Sequence, residues 1–170
     1  MDIDCNLVED IWSIKLLWPE DPDFYIDPFI QHNLKKWHPK TTVSQIPFVF
    51  MVGSKYLEAL NDNWSLYGWS TWLKSLQKHS FPKKITIIHL DDHDDLMSPK
   101  AYFHQGRLYD IFTKKLISIY EPQSIKSAIL SGAIGIGEFI LPLLCEFPSV
   151  EIRHLCQSTE PHTTIQRQII

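Results

Sequence analysis

The chain has 170 residues, 44% hydrophobic and 12% aromatic, which is enough for one compact core and unlike a disordered composition. Its formal net charge of −4, with lysines adjacent only in short pairs such as Lys83-Lys84 and Lys114-Lys115, argues against a nucleic-acid backbone as partner. Three widely spaced cysteines, Cys5, Cys145 and Cys156, form no Cys-x-x-Cys pattern and read as the reduced thiols of a cytoplasmic protein.

At the start, Asp2, Asp4, Glu9 and Asp10 replace the basic region and apolar core of a secretory signal. Pro19, Pro22, Pro28 and Pro39 interrupt aromatic residues such as Trp12, Trp18, Phe24 and Tyr25, so residues 1–45 read as an irregular, aromatic-rich covering or docking segment. The folded domain is expected over 46–170. Within it, residues 46–52 predict a strand, and the apolar positions from Trp64 to Leu76 predict a helix that His79-Ser80-Phe81-Pro82 terminates. Trp64, Trp69 and Trp72 on that helix suit a core first and a peptide-binding groove second.

The β-branched run of residues 85–90 predicts a buried strand, residues 107–119 alternate like a small hairpin, and Pro122 opens a helical region through Phe147. Cys145 in that region is expected to be a buried structural thiol. The apolar stretch 133–145 is broken by Glu138 and Pro142 and falls short of the ~20 residues of a membrane span. Glu138 is costly to bury unpaired, so it reaches solvent or binds a cation such as a guanidinium. Gly132, Gly135 and Gly137 lack the dinucleotide-binding spacing and permit close helix packing instead. Residues 150–156 predict a third strand, giving the β-α-β-α-β order of an α/β protein, a three-layer α/β/α sandwich with a mainly parallel sheet. So few strands leave an edge uncovered, and self-association or a second polypeptide is expected to complete the sheet.

The strand at 85–90 runs into Asp91-Asp92-His93-Asp94-Asp95. Four carboxylates in five residues repel one another unless a cation lies between them, and open α/β sheets collect ligands at the carboxyl ends of their strands. Read at alternate positions the cluster is Asp91-x-His93-x-Asp95, two oxygen ligands and an imidazole, a set that suits manganese, iron or zinc better than calcium. An EF-hand is excluded, because the loop has no glycine at its sixth position and no glutamate at its twelfth.

The run Ile88-His89-Leu90-Asp91-Asp92-His93-Asp94-Asp95-Leu96 resembles the Asp-x-His-x-Asp motif of the arginase and deacetylase (ureohydrolase-like) superfamily. The segment Ser131-Gly132-Ala133-Ile134-Gly135-Ile136-Gly137-Glu138-Phe139-Ile140-Leu141-Pro142 is similar to one in an arginase-like branch that includes peptide arginases. The resemblance covers roughly residues 46–145 and implies a binuclear manganese site in which Asp91 bridges two ions, His93 binds one and Asp95 the other. It further implies an arginine-containing peptide as substrate, converted to ornithine with release of urea, and Glu138 is the candidate to orient the cationic side chain. The family completes its site with an upstream histidine and a later Asp-x-Asp pair; residues 61–69 carry Asn63 and no histidine, and no Asp-x-Asp follows residue 95. The chain therefore reads as an N-terminal half, expected to be inactive alone.

Two other classes fit the same residues. Either a degenerate half-domain binds a peptide or partner chain without catalysis, or His93 and Asp95 join a distal His154 or His162 in the two-histidine, one-carboxylate triad of a non-haem iron oxygenase. The helical reading of residues 64–76 argues against the all-β fold of that triad.

Overall fold

The computed structural model describes residues 2–8, 11–17, 29–76, 82–91, 93–147 and 149–155. The chain divides into two compact units, Met1–Val43 and Ser44–Ile170. The first unit is less irregular than its prolines suggest. Strands β1 (Asp2–Val8) and β2 (Ile11–Leu17) pair antiparallel, with Asp2 opposite Leu17 and Val8 opposite Ile11, and helix α1 spans Ile30–Trp37.

In the second unit the strand predicted over 46–52 shrinks. A 3₁₀ helix takes Val43–Phe48 with Pro47 inside it, leaving β3 (Phe50–Val52), which pairs antiparallel with β4 (Leu57–Ala59) and joins no parallel sheet. Helix α2 (Trp64–Leu76) forms where the periodicity places it, burying Trp64, Leu66, Ser70 and Leu73. Trp64 is wholly buried, stacks on Phe50 at 4.0 Å between ring centroids and donates its indole N–H to the carbonyl of Pro47 at 2.8 Å. Trp72 is exposed and Trp69 lies half-buried against the core, so α2 serves both the core and a surface.

β5 (Ile85–Leu90) comes from the β-branched run and pairs in parallel with β9 (Val150–Leu155), Ile85 opposite Val150 and His89 opposite His154. Between them lie a meander of β6 (Ala101–His104), β7 (Arg107–Asp110) and β8 (Leu116–Ile117), then α3 (Pro122–Leu130) and α4 (Ile140–Glu146). The helical region predicted from Pro122 to Phe147 is thus two helices. Proline opens the first, and Gly132, at φ +80°, turns the chain out of it. Cys145 is exposed on α4, contrary to the buried thiol expected; desolvation, followed by the neighbouring Glu146 carboxylate, still raises its pKa.

The result is a mixed α/β fold whose parallel sheet has two strands, β5 and β9, among the described residues. Ile87 of β5 joins Trp64, Leu73, Phe139 and Leu143 in the core, whereas Thr86, Ile88 and Leu90 face away and are exposed. Side-chain alternation along a strand therefore sends Ile85, Ile87 and His89 inward. One face of the sheet is packed, and nothing among the described residues covers the other as a three-layer sandwich requires. No helix among the described residues is long and apolar enough to cross a membrane.

Candidate metal centre

β5 ends at Leu90, and its inward parity makes His89 the last side chain delivered to the interior. The chain then bends, bringing the carboxylates of Asp91 and Asp95 back to it. His89, Asp91 and Asp95 each offer a ligand atom, and the three atoms lie within 4.8 Å of one another. Asp95 holds φ at +53°, a left-handed conformation that aspartate tolerates better than most residues. Gly137, itself at φ +77°, sits against it: a Cβ there would lie 3.6 Å from Asp95 Oδ1 and 3.4 Å from the sulfur of Met97. The Met97 N–H donates to the Gly137 carbonyl at 2.9 Å, and Asn63, just before α2, donates to the Ile134 carbonyl at 3.1 Å, so loop 131–139 is tied to both sides of the site.

Electrostatics separate the three groups. Burial, then the Asp91 charge, raises the pKa of Asp95 from 3.8 to about 6. Burial, then His154, lowers that of His89, leaving a neutral imidazole with a lone pair to offer. Burial also works to raise Asp91, but the backbone N–H and ring of His93, at 3.0 and 3.1 Å, outweigh it, and Asp91 stays below the usual carboxylate range.

The arrangement fits an ion on two counts. His89 Nε2 lies 2.9 Å from Asp95 Oδ2, close to the ~3 Å between adjacent ligands of an octahedral ion bound at about 2.1 Å. Asp95 is only 4% exposed, yet its Oδ2 and the buried Nδ1 of His89 lack a hydrogen-bond partner, so His89 Nε2 approaches Oδ2 closely without hydrogen-bond geometry. A buried carboxylate oxygen left in this way, facing an imidazole nitrogen, is costly unless a cation binds there. The group can hold a metal ion.

Asp91 and Asp95 are brought together as the sequence motif places them. His93 lies outside the group: 84% of its side chain is exposed, and its ring holds Asp91 from the solvent side. Because the strand stops at Leu90, alternation does not extend through 91–95, and the imidazole inside the group belongs to His89. His154, across the parallel pair, stacks on His89 at 5.0 Å and lies 2.6 Å from the Asp91 carbonyl, which accepts its Nε2–H. That nitrogen is thereby committed to a hydrogen bond.

Glu138 is buried, but Lys100 Nζ lies 3.0 Å from Oε1 and the Gly135 N–H donates to Oε2 at 2.7 Å. The cation it binds is an internal lysine, and it does not line the cavity beside the metal group. Glu138→Gln is expected to cost about 1 kcal/mol in chemical denaturation by weakening that pair, with divalent-metal affinity unchanged. A loss of metal affinity without loss of stability would instead put Glu138 in the site.

The cavity is about 560 Å³ and is lined by every residue from 84 to 91, by Asp62, Ser65, Trp69 and Trp72 beside or on α2, and by Phe139 and Leu143. A groove that touches both parities of one strand runs along its edge, and β5 has no neighbour other than β9 among the described residues. A second cavity of about 480 Å³ shares Ser65, Trp69 and Trp72 and extends to residues 52–57. Asp62, which no motif singles out, enters here: burial first, then Asp95, raises its pKa to about 6. Comparison with protein-family models, characterised proteins and solved structures finds no match to this chain.

Proposed function

We propose that the chain carries the metal-binding part of an arginase-like hydrolase, with manganese as the ion, acting in the cytoplasm on an arginine side chain in a peptide. The observation that carries this reading is the convergence of His89, Asp91 and Asp95 around the buried, unpartnered Oδ2 of Asp95 at the carboxyl end of a parallel strand. Asp91, Asp95 and the neutral His89 would hold the ion, and a bound divalent ion supplies Lewis acidity and an activated water. In the reaction, the water oxygen bonds to the guanidinium carbon, the C–N bond to the side chain breaks, urea departs and the ornithine nitrogen takes the proton.

The chain's own residues have three tasks. His154 holds the Asp91 backbone, and His93 holds its side chain. Trp69 and Trp72 offer flat faces beside the carboxylates, a surface suited to a planar guanidinium. The edge of β5 that has no partner among the described residues offers backbone pairing to an extended peptide or to a strand of a second polypeptide. That edge also favours a second reading, a domain that binds a peptide or partner chain without turning it over.

The test is calorimetric titration of Mn²⁺ into the wild type, His89→Ala and His93→Ala, followed by a urea assay on an arginine-containing peptide. We expect binding in the wild type, a loss of roughly 10–100-fold in His89→Ala and a smaller one in His93→Ala, with little urea released by the isolated chain. Absence of wild-type binding would defeat the metal reading. Robust urea release would show that the ligands in this chain suffice.

A further inference from the structure

We infer that Asp62 is a fourth metal-binding side chain of the centre, closing it from the α2 side. The inference rests on the reading that His89, Asp91 and Asp95 hold a divalent ion. Asp62 lies on the turn that leads into α2, 27 residues before His89 in sequence, yet it lines the same cavity as His89 and Asp91. One of its oxygens accepts the Asn63 backbone N–H, while Oδ1 is buried with no hydrogen-bond partner. A buried carboxylate oxygen beside two further carboxylates is unfavourable on both solvation and charge, and a cation relieves both. The neighbouring lysines do not provide it, because Lys84 pairs with Glu151 and Lys100 with Glu138.

Asp62 lies outside the group of atoms within 4.8 Å, so its carboxylate must swing toward the ion when the ion binds. Its place at a helix start allows this: Ser65 donates to the Asp62 carbonyl at 2.8 Å, which fixes the backbone without engaging the side chain. The set then becomes three carboxylates and one imidazole, a hard, oxygen-rich donor set of the kind that suits Mn²⁺.

Mn²⁺ titrations into the wild type, Asp62→Asn and Asp94→Asn provide the test. Asp94 is exposed, belongs to the same acidic run and lies outside the ligand group, so Asp94→Asn measures the effect of removing one nearby charge alone. We expect Asp62→Asn to lose roughly 10–100-fold in affinity and Asp94→Asn far less. Equal losses in the two variants, or none in Asp62→Asn, would overturn the inference while leaving the metal reading intact; no binding by the wild type would remove both. Asp62→Cys loaded with Cd²⁺, in a background where Cys5, Cys145 and Cys156 are changed to Ser, gives an independent signal, a thiolate-to-cadmium charge-transfer band absent from that background alone, and its failure to appear would likewise count against Asp62.

Discussion

Asp95→Asn is expected to make the metal-free protein more stable at pH 7 and to abolish its divalent-metal binding. Asp95 is 4% exposed, and its pKa, raised to about 6, means that ionisation at neutral pH is paid for by the fold. A shift from 3.8 to about 6 sets a ceiling of roughly 3 kcal/mol on that cost, and with relaxation a gain of about 1–3 kcal/mol is reasonable. Asparagine keeps the shape and accepts the φ of +53° as well as aspartate does, so the substitution removes the charge with little added strain. It also removes the anionic ligand that the ion needs. Urea denaturation with chelator present, paired with Mn²⁺ calorimetry, separates the two effects. A variant that is destabilised and still binds metal normally would mean that Asp95 is a structural residue of the turn.

The elements that the sequence makes legible are those whose local chemistry and tertiary setting agree. The β-branched run at 85–90 and the apolar helix at 64–76 form as their periods predict, and β9 forms nearly where expected. The site is only half legible. Two of its carboxylates stand out as a motif, but alternation carried past Leu90, where the strand ends, favours His93 over His89. The parity of Ile85, Ile87 and His89 within the strand was the available signal. Asp62 has no sequence signal of its own, since only the fold brings the turn before α2 to the cavity that Asp91 lines. The pairing of β1 with β2 is not legible in the sequence, because Glu9-Asp10 lacks the Asn-Gly or Asp-Gly chemistry of a tight turn and the prolines after residue 18 dominate the segment.

The contribution of Asp95 and Asp62 to stability and the affinity for metal are expected to respond to pH in opposite directions. Asp95 and Asp62 both have folded-state pKa values raised to about 6 from the ordinary 3.8, so between about pH 4 and pH 6 the folded chain holds protons that the unfolded chain has released. Their contribution to stability is complete below about pH 4 and is lost as pH rises through 6. As neighbouring carboxylates they titrate as a coupled pair, and the midpoint belongs to both. Asp91 and Asp110, with lowered pKa values, and His89, held neutral, act the other way by losing stability on acidification. The paired signal is therefore the difference between the wild type and Asp62→Asn/Asp95→Asn, in which those backgrounds cancel: the double variant should gain on the wild type as pH rises from 4 to 7. Mn²⁺ has to displace one to two protons below pH 6, so wild-type affinity should weaken by about one to two decades for each unit of pH lost there and level off above pH 7. At a fixed Mn²⁺ concentration the rise in wild-type melting temperature over the metal-free protein should be much smaller near pH 5 than at pH 7. A metal-induced shift that is the same at both pH values would mean that the ion does not bind through these carboxylates.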